Sequence, residues 1–183
     1  WVTEIDGRVV GSTTAILYEN RFGWVGMVLV DPDFRRQGVA TNLVRRALHY
    51  LERKGCQCQK LDATSEGKGI YERLGFRVEY EVQRWRRSAM SLPEPQEGGH
   101  LAMIERSLPP GLGAFDRRAF GASRRELLNL FLRNGFRGYA CSEPQTPSAA
   151  VSRPNLIRGY GFGRPGRGAA QIGPLVAVNP GAA

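Results

Sequence analysis

Between Val30 and Thr41 the sequence reads V-D-P-D-F-R-R-Q-G-V-A-T, which places two arginines and a glycine where a helix should begin. The first N–H groups of a helix have no intrahelical partner, and the helix dipole adds partial positive charge at that end. Such an end accepts an oxyanion. Gly38 lets the backbone turn tightly and admits an oxygen where a Cβ would stand. Arg35 and Arg36 can add charge-assisted hydrogen bonds. Neither G-x-x-x-x-G-K-[ST] nor G-x-G-x-x-G occurs at this position, which excludes a triphosphate loop and a dinucleotide fingerprint. The remaining chemistry is a diphosphate held by backbone amides rather than by lysine.

A site of this kind needs a strand before it and a helix after it. "WVTEI", a turn at Asp6-Gly7 and "VVGSTTAILY" read as a hairpin, and "ENRFG" turns the chain into the apolar strand "WVGMVLV". Asp31-Pro32 ends that strand. From Val39 to Lys54, the residues Val39, Leu43, Val44, Ala47, Leu48 and Leu51 recur at three- and four-residue steps, predicting an amphipathic helix stopped by Gly55. "CQCQKLDAT" reads as a strand and "SEGKGIYERLG" as a short helix with Ser65 as N-cap and Gly75 as stop. "FRVEYEVQRWRR" alternates like a long strand.

The Pro- and Gly-rich residues 88–112 read as a linker. Beyond it, "DRRAFGASRRELLNLFLRNGF" predicts a helix with Leu127, Leu128, Phe131 and Leu132 on one side. "RGYAC", "NLIRGYGFG" and "AAQIGPLVAVNP" then predict three strands. "VGMVLVDP" (25–32) is echoed with one inserted residue by "IGPLVAVNP" (172–180), which suggests a duplication. The second copy ends without the arginines and helix that follow the first, so both ends of the chain read as cut.

"RRQGVA", Arg35 to Ala40, resembles the [Q/R]-x-x-G-x-[G/A] signature of the GNAT acyltransferases, and "YERLGF", Tyr71 to Phe76, is similar to a second element of that family. The resemblance covers residues 1 to about 87. It implies a mixed α/β fold with a central sheet and flanking helices over 1–87, and a smaller, truncated and degenerate second lobe over 113–183. It implies acetyl-CoA as cosubstrate, with main-chain groups of Val28, Leu29 and Val30 along the pantetheine and Arg35, Arg36, Gln37, Gly38, Val39, Ala40 and Thr41 around the pyrophosphate. The implied reaction is direct attack on the thioester by an amine acceptor, expected to be a small molecule. Tyr71 stands where many members place the acid that protonates the thiolate. The base is open: "WVGMVLV" has no carboxylate, leaving Asp62 at the end of the next strand, Glu4, or a water chain. The second lobe lacks the R-x-x-G-x-[G/A] loop, so its expected role is part of an acceptor pocket or a homodimer surface. A catalytically silent acyl-CoA sensor would share the cofactor site and differ only in turnover.

Composition bounds these readings. The chain has 183 residues, 42% hydrophobic and 23% charged, enough to fold around a core. No apolar run approaches the ~20 residues of a membrane helix. The net charge of +9 rests almost wholly on arginine and favours polyanionic partners, although an Arg-, Gly- and Pro-rich coding bias yields the same excess. The chain starts on Trp1, so a missing leader says little about compartment. Cys56 and Cys58 are too close for an easy disulfide. Together with Cys141, His49 and His100 they do not give finger-like metal spacing. Idle thiols and no metal, in a reducing cytoplasm, are the expectation.

A nucleic-acid reading rests on "RGYGFGRP" (158–165), which matches the start of an RNA-recognition string, with Tyr160 and Phe162 as stacking residues and "LFLRNG" (130–135) as companion. Against it stand Pro165 at an aromatic position, the helical period of "LLNLFLRN", and no predicted helix over 136–157. The RNA reading therefore ranks below the acetyltransferase.

Overall fold

The computed structural model describes residues 1–88, 100–143 and 156–179. The chain divides into two compact units, Trp1–Met90 and Ser91–Ala183. Residues 89–99 of the expected linker, and the end of the repeated string from Pro180, lie outside the described residues.

The first unit is a four-stranded sheet of order β1-β2-β3-β4, built from β1 (Val2–Ile5), β2 (Arg8–Tyr18), β3 (Phe22–Val30) and β4 (Gln59–Leu61). β1, β2 and β3 run antiparallel in turn, whereas β4 joins β3 in parallel. The predicted turns are present: Asp6 and Gly7 take φ of 51° and 74°, and Glu19 and Asn20 take 50° and 56°, the positive values that a tight hairpin between twisted strands requires. A parallel partner requires a crossover, supplied by α1 (Val39–Arg53). Of the predicted stripe, Val39, Leu43, Val44, Ala47 and Leu51 are buried, and Leu48 packs half-buried beside them. Each buried leucine or valine contributes about 1.5–3 kcal/mol.

The fit of α1 on the sheet is close. A Cβ at Gly23 would lie 2.5 Å from Leu51 Cδ2 and 3.0 Å from its Cγ. Leu51 is fully buried, so it cannot swing away. We expect Gly23→Ala to destabilise the unit by about 1–3 kcal/mol, the usual cost of overpacking. Urea denaturation read by tryptophan fluorescence checks this, since Trp1, Trp24 and Trp85 all lie in this unit. An unchanged midpoint would mean that α1 is held less tightly than the geometry implies.

α2 (Ser65–Arg73) follows β4, with Thr64 rather than Ser65 at the N-cap and Gly75 at φ 89° beyond its end. One expectation fails here. Residues 76–87, read as a long strand, have no ladder partner among the described residues, and Val78, Tyr80, Val82 and Trp85 are exposed. The alternation is real, but a strand also needs a neighbouring edge. The Lys60–Glu79 ion pair, 2.8 Å, links this segment to β4 through charge.

The second unit is an antiparallel sheet of order β5-β6-β7-β8, comprising β5 (His100–Ile104), β6 (Arg137–Ser142), β7 (Ile157–Arg164) and β8 (Gln171–Ala177). β5 lies inside the stretch read as linker; five residues are too short to show a period against Pro- and Gly-rich flanks. The single predicted helix is two, α3 (Leu112–Phe120) and α4 (Arg125–Arg133), separated at Gly121, whose φ of 93° ends α3. Leu112, Phe115 and Leu128 meet Ile104, Tyr160 and Phe162 in the core. Tyr160 and Phe162 are 2% and 1% exposed. The two aromatics on which the RNA reading depended therefore face the core and offer no ring to a base.

Inside this core, Asp116 is 1% exposed and meets Arg124 and Tyr160. Arg124 Nε donates to both Asp116 oxygens at 3.2 and 3.1 Å, and Nη2 donates to Oδ1 at 2.9 Å. Tyr160 donates its hydroxyl hydrogen to the same carboxylate. The guanidinium also stacks on Phe120, 3.9 Å from the ring centroid. A carboxylate removed from water is tolerated because every side of it meets a donor.

Candidate active site

β3 reaches its open end through a bulge. Ser12 pairs with Leu29 and Thr14 with Gly26, so Thr13 alone faces Met27 and Val28. Met27 takes φ 52°, an uncommon conformation for a residue with a side chain. Neighbouring hydroxyls occupy the carbonyls beside it: Ser12 Oγ donates to Met27 O at 3.1 Å, and Thr13 and Thr14 Oγ1 donate to Gly26 O at 3.3 and 3.1 Å. Pairing with β4 stops at Val25. Among the described residues, the edge of β3 from Gly26 to Val30 therefore has no ladder partner on that side, which leaves main-chain groups of Val28 and Leu29 open, whereas Val30 O accepts from Arg35 Nε.

The turn into α1 is fixed by its own side chains. Asp31 accepts from the Asp33 amide at 3.1 Å and from Arg8 Nη2 at 2.6 Å. Arg35 Nε donates to Val30 O at 3.4 Å, and Gln37 Nε2 to Asp33 O at 3.2 Å. Arg36 and Gly38 take φ of 60° and 85°. No side chain caps the helix at Gly38. Past Arg35, whose amide donates to Pro32 O, the next amide with a carbonyl partner is Asn42, which donates to Gly38 O at 3.0 Å. The amides of Arg36 to Thr41 are left for an external acceptor, and two exposed arginines flank them. An arrangement of this kind can receive an oxyanion without a lysine.

Tyr71 and Asp62 come together in a different place. Both line a cleft of about 650 Å³ beside β4, between α2 and residues 74–82. Tyr71 stands half-buried over Gly67, where a Cβ would come within 2.9 Å of the phenol ring, and meets Phe76 edge-on at 6.1 Å. Burial pushes the Tyr71 hydroxyl above its ordinary pKa of 10.0, so it holds its proton at neutral pH. Asp62 is exposed at the end of β4. None of Val28–Val30 or Arg35–Thr41 lines this cleft. Glu4, the other carboxylate considered, is on the far strand β1 and does not line it either.

Sequence reasoning did not single out Met27, the hydroxyl run Ser12-Thr13-Thr14, or Trp24 and the Lys60–Glu79 pair at the cleft. Three consecutive hydroxyls inside a strand were the one available signal for the bulge. The ion pair joins residues 19 apart, which no periodicity reveals. The hydrogen bond that Lys60 Nζ donates to Glu79 is the first cause that holds the ammonium above its usual pKa.

Comparison with known proteins accounts for both units. Models of the GNAT acetyltransferase domain match residues 1–78 and, separately, residues 113–183. The crystal structure of a proposed acetyltransferase from Pyrococcus horikoshii superposes with a TM-score of 0.74 at 26% identity, over 97% of this chain and 54% of that one. An uncharacterized N-acetyltransferase of Methanocaldococcus jannaschii is 30% identical over 96 residues, 48% of this chain and 42% of its own. An N-alpha-acetyltransferase of Arabidopsis thaliana is 33% identical over 76 residues, 38% of this chain and 40% of its own. The chain thus spans about half, or less, of the length of these relatives. With the strand, arginine-flanked helix start and second lobe in place, the chain belongs to the GNAT acetyltransferase superfamily and carries two GNAT-like domains.

Proposed function

We propose that the first unit is an N-acetyltransferase that moves the acetyl group of acetyl-CoA to an amine by direct attack. The observation that carries this reading is the α1 terminus: unpartnered amides from Arg36 to Thr41, with Gly38 at φ 85° and Arg35 and Arg36 beside them. The pyrophosphate lies against these groups, and the pantetheine runs along the open edge at Val28, Leu29 and Val30. The cofactor is assigned to the first unit.

In the reaction the acceptor nitrogen bonds to the thioester carbon and the C–S bond breaks. One proton leaves the attacking nitrogen and one reaches the sulfur. Tyr71 is assigned as the donor to sulfur. Its pKa is raised above 10.0 and a thiol's lies near ~8.5. Full transfer is thus uphill: the phenol donates a hydrogen bond as charge builds on sulfur, and the released thiolate takes its proton from water. Asp62 is the candidate base, reaching the nitrogen directly or through water.

Tyr71→Phe tests the assignment: kcat is expected to fall about 100-fold or more, with the acetyl-CoA Kd within about twofold. CoA thiol release is followed over a panel of small primary amines and peptides. An unchanged kcat would remove Tyr71 from the mechanism. A second reading, a silent acyl-CoA-binding module, is favoured by β3, which carries no carboxylate; acetyl-CoA binding without thiol release for any amine would establish it. No described helix is long and apolar enough to cross a membrane, and the working assignment is a cytoplasmic enzyme.

A further inference from the structure

Gly67 has no backbone reason to be glycine. Its φ is not positive, and its amide donates to Thr64 O at 3.1 Å, as in an ordinary first turn of a helix. A glycine inside a helix costs more backbone entropy than an alanine does. α2 has nine residues and carries two glycines, Gly67 and Gly69. They differ in what a side chain would meet. At Gly67 an added Cβ would lie 2.9 Å from Tyr71 Cε2, 3.4 Å from Cζ and 3.5 Å from the hydroxyl oxygen. At Gly69 it would meet Arg73 Nη1 at 3.6 Å, the flexible end of an exposed side chain.

Tyr71 follows Gly67 by four residues, and an aromatic side chain on a helix leans back towards the N-terminus onto that position. The missing side chain lets the phenol lie against the backbone of the preceding turn. The other side of the ring is closed as well. Gly75, at φ 89°, turns the chain, Phe76 donates its amide to Tyr71 O at 3.0 Å, and the Phe76 ring meets the phenol edge-on at 6.1 Å. With helix backbone on one side and Phe76 on the other, a displaced phenol moves outward into the cleft that Tyr71 lines. Gly67 does not itself line that cleft, so it acts through Tyr71 or not at all.

We propose that Gly67 is a positioning residue: by carrying no side chain it sets how deeply the Tyr71 hydroxyl sits over α2, and so the reach of its hydrogen bond to the departing sulfur. The role rests on the assignment of Tyr71 made above. Ordinary contact with a Cβ begins near 3.4 Å, so alanine would push the ring edge outward by at least about 0.5 Å. A misplacement of about 1 Å can cost a reaction about 100-fold, and half of it is expected to cost about tenfold. The start of α1 takes no part in this contact, so acetyl-CoA affinity should be spared.

Gly67→Ala and Gly69→Ala are compared in the whole chain, with Tyr71→Phe beside them. Each alanine favours the helix, and urea midpoints check that both variants stay folded. Gly67→Ala is expected to lower kcat about tenfold with the acetyl-CoA KM within about twofold, and Gly69→Ala to keep both within about twofold. In the Tyr71→Phe background Gly67→Ala is expected to add nothing, because the hydroxyl it displaces is gone; a merely structural role would lower kcat there too. Tyrosine isotope-labelled at Cζ gives a reading without turnover. The Tyr71 resonance, identified by its loss in Tyr71→Phe, is expected to move on addition of CoA, and to move less than half as far in Gly67→Ala. An unchanged kcat and an undiminished CoA-induced shift in Gly67→Ala would overturn the positioning role while leaving Tyr71 in the mechanism. Equal losses in the two glycine variants would overturn it as well, since helix rigidity would then be the cause. An unchanged kcat in Tyr71→Phe, or no CoA-induced shift at Tyr71 in the parent, would overturn the donor assignment and the positioning role together.

Discussion

Gly38→Glu is expected to weaken acetyl-CoA binding by at least 100-fold, measured by calorimetry. Two effects act together. Gly38 holds φ 85°, a conformation that costs a residue with a side chain about 1–2 kcal/mol. The new carboxylate then stands where the pyrophosphate must approach amides that no protein carbonyl occupies. Each tenfold loss is about 1.4 kcal/mol, so strain alone gives at most about 1.4 decades, roughly 30-fold, and like-charge repulsion must supply the rest. Gly38→Ala separates them: it carries the strain without the charge and is expected to lose roughly 30-fold or less. Space does not confound the comparison, because nothing lies within 4 Å of a Cβ at this position. Equal losses for the two variants would show that the backbone conformation, not the anion cradle, matters.

Asp116→Ala is expected to destabilise the second unit by about 3–5 kcal/mol, the cost of leaving one member of a buried ion pair uncompensated. Arg124 would keep only Tyr160 and the Phe120 ring. All three tryptophans belong to the first unit. Urea unfolding followed by circular dichroism should lose stability while the tryptophan transition moves much less. The pair has an alkaline signature as well. Burial first, then the hydrogen bond to Asp116, raises the Tyr160 pKa far above 10.0. The folded state therefore needs the neutral phenol. That stability is fully present below about pH 10 and is lost as pH rises towards the folded-state value. Tyr160→Phe should flatten this decline. A fall in stability of less than about 1 kcal/mol for Asp116→Ala would mean that the cluster is dispensable.

The parts of the fold legible in sequence were those with a local cause. Asp6-Gly7 marked a hairpin, and the stripe from Val39 to Leu51 marked a helix whose start and end are dictated by Gly38 and Gly55. The loop "RRQGVA" could be read because the chemistry of a helix start lies in contiguous residues. Residues 76–87 were misread for the opposite reason: Val78, Tyr80 and Val82 alternate as a strand does, yet pairing depends on an edge elsewhere in the chain. β5 was too short and too close to Pro and Gly to announce itself. The Asp116–Arg124–Tyr160 cluster was invisible because its members are 8 to 44 residues apart and each is ordinary alone. The lower-ranked reading of "RGYGFG" as an exposed stacking strand could not be closed from sequence, because α3 and α4 decide which face of β7 is buried.

The central claim is that the start of α1 holds the pyrophosphate of acetyl-CoA. Amide NMR of the whole chain, titrated with acetyl-CoA, tests it most directly. The prediction is saturable downfield shifts at Arg36, Gln37, Gly38, Val39, Ala40 and Thr41, with smaller shifts at Val28 to Val30, and little change in the second unit. Saturable binding whose shifts fall elsewhere, or no shift at millimolar acetyl-CoA from a folded protein, would contradict the account.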